Sequence, residues 1–167
     1  MHKEHVYIGL GSNQGESQAL LKSALGAIDG ISETRVLSTS SLYASAPMGP
    51  QNQPDFINSV ALLETSLAPL ALLQALQEIE QTHGRVRKKE RWGPRTLDLD
   101  ILLFGDQTLA TPELTVPHYG MAEREFVLVP LFEIAPGMIM PDGKPLAAWV
   151  AKVSLDGLRR LRSSNQT

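Results

Sequence analysis

The sequence predicts an α+β fold in which elements run β-α-β-β-α-β and helices cover a mainly antiparallel sheet. Two segments, 16–29 and 69–83, repeat their apolar residues at helical spacing, and four others carry the apolar, β-branched and aromatic residues of strands. Gly and Pro punctuate the boundaries.

Val6-Tyr-Ile-Gly-Leu10 reads as the first strand and Gly11-Ser-Asn-Gln-Gly15 as a loop, because Gly and Asn tolerate the positive φ angles of sharp turns. In the helix over 16–29, Leu20, Leu21, Ala24, Leu25 and Ile28 share a side, and Gly30 is a natural stop. Residues 34–44 are strand-like in their Val, Leu, Thr and Tyr content. Ala44 to Pro54 holds too much Pro and Gly for either regular structure and is expected to form a long, exposed loop. Phe56 to Thr65 returns as a strand. Pro69 then opens a helix through about His83, with Leu72, Leu73, Leu76 and Ile79 on one face and Gly84 ending it. After a basic segment over 85–95, a strand over 97–104 completes the split βαβ, or ferredoxin-like, order with helices on one face of the sheet. From Pro112 the sequence predicts C-terminal additions: a loop, a helix around 122–134, a Pro/Gly-rich turn over 136–145 and a last short helix.

A length of 167 residues, without repeat or linker, suits a single domain over 1–167. The apolar fraction of 43% and charged fraction of 20% are those of a soluble protein, and no apolar run approaches the roughly 20 residues of a membrane span. Met1-His-Lys-Glu-His-Val6 lacks the apolar segment of a secretory signal, so a cytoplasmic location is expected. The absence of Cys excludes disulfides, thiolate ligands and a Cys nucleophile. With a net charge of -3 there is no general attraction to nucleic acid, and any anion site must be local.

Two carboxylates interrupt the last core strand. Alternation puts Thr96, Asp98 and Asp100 on one side and Leu97, Leu99, Ile101 and Leu103 on the other, with the two acids about 6.5–7 Å apart at Cα. Such a pair needs a cation nearby. Mg²⁺ suits it, since that ion takes one or two carboxylates plus phosphate oxygens and water. For a bare Asp-x-Asp, a solvated strand face or pairing with Arg91 and Arg95 is the stronger reading, and only the flanking sequence shifts it. Arg85-Val-Arg-Lys-Lys-Glu-Arg-Trp-Gly-Pro-Arg95 places six cations immediately before the acids. Beside candidate metal ligands, this run reads as a loop that neutralises a polyphosphate and closes over it.

Gln77 and Glu80 share a helix face near that strand. Thr115-Val-Pro-His-Tyr119 groups a hydroxyl, an imidazole and a phenol, with Arg124 following. His118 could act as a base or contact phosphate. Phe56 and Phe126 are either core or stacking surfaces for a flat ring, and Asn58 shares the face of Phe56. The glycines over 9–15 match neither a dinucleotide fingerprint nor a Walker loop. An RNA-binding module is the main rival, but an RNA-reading sheet presents aromatics where this one presents acids.

The chain resembles 6-hydroxymethyl-7,8-dihydropterin pyrophosphokinases of folate biosynthesis. Arg91-Trp-Gly-Pro-Arg-Thr-Leu-Asp-Leu-Asp100 carries the resemblance, with Gly11-Ser-Asn13, Gly49-Pro-Gln-Asn-Gln-Pro-Asp-Phe56, Gly84-Arg-Val-Arg87 and Val116-Pro-His-Tyr119. It implies transfer of the β,γ-pyrophosphoryl group of ATP to the pterin's hydroxymethyl oxygen, leaving AMP. By similarity, Asp98 and Asp100 hold two Mg²⁺ ions, and Arg85 and Arg95 join them as catalytic residues. ATP contacts fall on Gln77, Glu80, Arg87, Trp92, Ile101, Thr115, His118, Tyr119 and Arg124. The pterin falls to Ser45, Ala46, Pro47, Met48, Phe56, Asn58 and Phe126. The resemblance implies a monomer whose partners are these two small molecules. Three departures stand out: Glu113 where some relatives are basic, Phe56 in place of Tyr, and Ser45-Ala46 in place of Thr-Pro.

Overall fold

The computed structural model describes residues 3–12, 17–45, 56–83, 97–105, 107–118, 121, 124–153 and 158–161. The core strands are β1 (Glu4–Ser12), β2 (Thr34–Thr39), β3 (Tyr43–Ser45), β4 (Phe56–Thr65) and β5 (Asp98–Phe104), with helices α1 (Ser17–Asp29) and α2 (Pro69–Thr82) between them. The short strands β6 (Leu109–Ala110) and β7 (Thr115–Val116), helices α3 (Glu125–Ile134) and α4 (Leu146–Val150), and strand β8 (Leu158–Arg160) follow. The main sheet runs β5-β1-β4-β3-β8, with β2 also on β4, and its pairings are antiparallel. The expected α+β order is present. The β6–β7 ribbon and β8 were not visible in the sequence, being only two or three residues each.

The strand expected over 34–44 is two strands laid end to end along the same edge of β4. Ser40 makes the break. Its N–H donates to the Val60 carbonyl at 2.8 Å, but the Val60 N–H donates to the Ser40 hydroxyl at 3.0 Å, so a side chain stands in for a ladder carbonyl. Ala44 and Ser45, expected to open the long loop, belong to β3 instead.

Helices lie on both faces of the sheet rather than one. On the first face, Val6, Ile8 and Leu10 of β1, Ala61 and Leu63 of β4, and Leu99 and Ile101 of β5 pack under Leu21, Ala24 and Ile28 of α1 and Leu72, Leu76 and Ile79 of α2. On the second, Val60, Leu102 and Leu103 pack under Val127, Leu128 and Leu131 of α3 and Leu146 of α4. Strict alternation would send Leu103 to the first face. The β1–β5 ladder instead pairs Ile8 with Ile101 and Tyr7 with Leu103, leaving Leu102 as an extra, bulged residue. Leu103 therefore joins the second core and Phe104 the first.

Candidate active site

The acids occupy the end of the second face that lies above the bulge. Asp98 is half-buried and Asp100 exposed, with buried Leu99 between them facing the first core. Across the ladder, Asp98 stands opposite Gly11 and Asp100 opposite Gly9, so the neighbouring strand offers no side chain to fill the space beside either carboxylate. The row continues from Gly11 to Asn58 and from Asn58 to Tyr43.

β5 is an edge strand, and two of its outward backbone groups are bonded by residues from elsewhere. Glu80 on α2, only 7% exposed, accepts the Leu99 N–H at 2.8 Å and so fixes the backbone between the acids. Three residues on from Leu99, the Leu102 carbonyl accepts the His118 N–H at 3.0 Å. This bond carries the segment after β7 to the edge of the site. Burial lowers the His118 pKa below its ordinary value; Asp100 opposes that shift and Arg124 adds to it.

A cavity of about 530 Å³ opens between α2, β5 and the segment over 112–118, lined by Gln77, Glu80, Asp98, Asp100, Ile101, Thr115, His118 and Arg124. All the described residues expected to contact ATP or metal meet in this one space. Leu73, Leu99, Pro112, Glu113 and Leu114 complete the lining. Leu73 packs against the first core as its apolar face predicts, and it also lines the cavity, where with Gln77 and Glu80 it forms an i, i+4, i+7 stripe that the sequence shows.

Of the residues expected to meet the pterin, the described ones sit on β3, β4 and α3. Phe56 and Asn58 share a face of β4, Ser45 pairs with Phe56, and Asn58 Nδ2 donates to Ser45 Oγ at 3.2 Å. Phe126 is on α3, packed partly against the second core, and the Arg124 guanidinium stands 5.7 Å from its ring centroid. Arg124 therefore touches both halves of the site. Arg85, Arg87, Trp92, Arg95, Tyr119, Ala46, Pro47 and Met48 lie outside the described residues.

Among the described residues, no group of three or more His, Cys, Asp and Glu could by itself hold a metal ion. Two carboxylates beside an open cavity suit a hard cation that completes its shell with water and substrate oxygens. The donor set therefore fits Mg²⁺ delivered with a polyphosphate better than a caged structural ion.

A family model for 7,8-dihydro-6-hydroxymethylpterin-pyrophosphokinase (HPPK) matches residues 7–136. The 2-amino-4-hydroxy-6-hydroxymethyldihydropteridine pyrophosphokinase of Pseudomonas aeruginosa is 52% identical over 158 residues, covering 95% of this chain and 97% of the relative. The Haemophilus influenzae protein of that name is 54% identical over 139 residues, covering 83% and 86%. A crystal structure of Plasmodium falciparum HPPK-DHPS with pterin and p-hydroxybenzoate shares the fold, with a TM-score of 0.75 and 13% identity over 97% of this chain and 47% of that longer one. The chain belongs to the 7,8-dihydro-6-hydroxymethylpterin-pyrophosphokinase family, ATP-dependent enzymes of folate biosynthesis that transfer pyrophosphate to hydroxymethyldihydropterin.

Proposed function

We propose that Asp98 and Asp100 hold two Mg²⁺ ions, that the ATP phosphates lie in the adjoining cavity, and that the pterin is read by Ser45, Phe56, Asn58 and Phe126. The observation that carries this reading is the carboxylate pair facing two glycines at the mouth of a cavity walled by Gln77, Thr115, His118 and Arg124. In the transfer, the hydroxymethyl oxygen bonds to the β-phosphorus and its proton is released to solvent, the bond from that phosphorus to the α,β-bridging oxygen breaks, and AMP departs. Bound Mg²⁺ offsets polyphosphate charge and polarises the reacting oxygens.

The protein's own share is binding and orientation, which suffices for a reaction that requires little covalent chemistry from side chains. Glu80 holds the strand that bears the acids. Arg124 supplies a fixed positive charge to phosphate, while His118, kept neutral by burial, can donate or accept one hydrogen bond without adding charge. Asn58 presents an amide to the polar edge of the pterin, and the two phenyl rings offer stacking faces. Sequence resemblance adds Arg85 and Arg95 as catalytic residues, Arg87, Trp92 and Tyr119 toward ATP, and Ala46, Pro47 and Met48 toward the pterin. The chain is read as one domain acting as a cytoplasmic monomer; no described helix is long and apolar enough to cross a membrane.

Incubation with ATP, Mg²⁺ and hydroxymethyldihydropterin is expected to yield AMP, and yield no higher than a protein-free control would sink the reading. Asp98→Ala and Asp100→Ala should each lower turnover at least about a hundredfold while circular dichroism stays native, because each removes a metal ligand and relieves repulsion between the acids. Near-normal turnover in either variant would remove that residue from the metal site.

A further inference from the structure

Glu133 lies on α3, outside the cavity. Its carboxylate accepts the Ser41 N–H on both oxygens, at 3.0 and 3.1 Å, the Ser41 hydroxyl at 2.9 Å and the Tyr43 hydroxyl at 2.7 Å. Arg160 of β8 stands 3.8 Å away and donates from Nε to Ser41 Oγ at 3.0 Å. A charged acceptor with this many donors is a stronger restraint than a neutral hydrogen bond.

These bonds converge on the break between β2 and β3. Strand β3 is three residues long and its other neighbour, β8, is equally short, so side-chain bonds add substantially to the ladders that fix where it lies. Glu133 fixes its entry, through Ser41 and Tyr43. At its other end, Ser45 accepts from Asn58 Nδ2, which sets the amide so that Oδ1 stands over Gly11. Ser45 and Asn58 are each 7% exposed, so water competes little for the bond between them.

We propose that Glu133 is a positioning residue for the pterin: by clamping Ser41 and Tyr43 it holds β3 in place, and β3 aims Asn58 through Ser45. The inference rests on the reading of Ser45 and Asn58 as pterin contacts. It separates the two substrates, because the clamp acts on β3 and β4 while the cavity beside the acids is built by α2, β5 and the 112–118 segment. A carboxylate that merely held the fold together would weaken both substrates alike.

The test is carried out on the full chain with Glu133→Gln, which keeps the side chain's size and one acceptor oxygen, and with Tyr43→Phe, which removes one bond. Pterin KM is read from AMP formation, and binding of a nonhydrolysable ATP analogue with Mg²⁺ is read by calorimetry. Glu133→Gln should raise the pterin KM about tenfold and Tyr43→Phe about threefold, with affinity for the ATP analogue unchanged. An unchanged pterin KM in both variants, or equal weakening of both substrates, overturns the proposal. If Glu133→Gln does not fold, Tyr43→Phe decides by the same criterion. Asn58→Ala distinguishes the two levels of the argument. If it leaves the pterin KM unchanged, the pterin assignment and the positioning role both fall; if it raises KM while the other variants do not, only the positioning role falls.

Discussion

A Cβ placed on Gly11 would stand 2.9 Å from Asn58 Oδ1, closer than carbon and oxygen settle without something moving. Since Asn58 is held by Ser45, the cheapest relief is rotation of the amide and loss of that bond. Gly11→Ala should cost about 1–3 kcal/mol of stability, the usual range for overpacking, and raise the pterin KM more than the ATP KM. A proportional rise in both would mean that the disturbance spreads past Asn58. At this scale the sequence was partly legible. The two-residue period of a strand was enough to put Asp98 and Asp100 on one side. Glu133 gave no such signal, because its partners Ser41 and Tyr43 lie 92 and 90 positions away and no local spacing records them.

Elements were legible where one rule governed their whole length. β4 runs Phe56–Thr65 as expected, because ten residues of strand character are bounded by Pro on one side and by Ser-Leu-Ala-Pro on the other. The run over 34–44 has strand composition throughout, yet the hydroxyl of Ser40 competes with its own backbone and splits it. The segment over 112–115 is expected as a loop with Thr115 toward ATP and Glu113 where some relatives are basic, and in the structure it walls the cavity with both residues in the lining. A carboxylate there opposes a polyphosphate. Glu113→Arg should therefore lower the ATP KM about two- to fivefold at low ionic strength, with the gain shrinking as salt screens it. An ATP KM that does not respond to the charge reversal would show that Glu113 faces away from the phosphates.

Across the whole molecule, one sheet serves two cores, and only the first was foreseen. Helix α3 is apolar through most of its length, so its sequence does not declare which sheet face it will cover. Tyr43, Glu133 and Arg160 tie that helix to β3 and β8, which makes the titration of Tyr43 a property of the assembled protein. Burial, the bond to Glu133 and its charge push the Tyr43 hydroxyl from about 10 to about 12, against a smaller opposing effect of Arg160. The folded state thus favours the protonated phenol. Its contribution is fully present below pH 10 and is lost as pH rises through 12, because the unfolded chain releases the proton first. Tyr43→Phe should be less stable than the parent at pH 8, yet its urea midpoint should fall less steeply between pH 10 and 12. Parallel curves would show that Tyr43 ionises as freely in the folded protein as in the unfolded chain.

An outermost strand with idle backbone groups invites another copy's strand to add to it. Here the Leu99 N–H is already bonded to Glu80 and the Leu102 carbonyl to His118. The Glu80 side chain and the His118 backbone thus blunt this edge of the sheet, so a substitution of Glu80 made to alter catalysis also loosens a guard against aggregation.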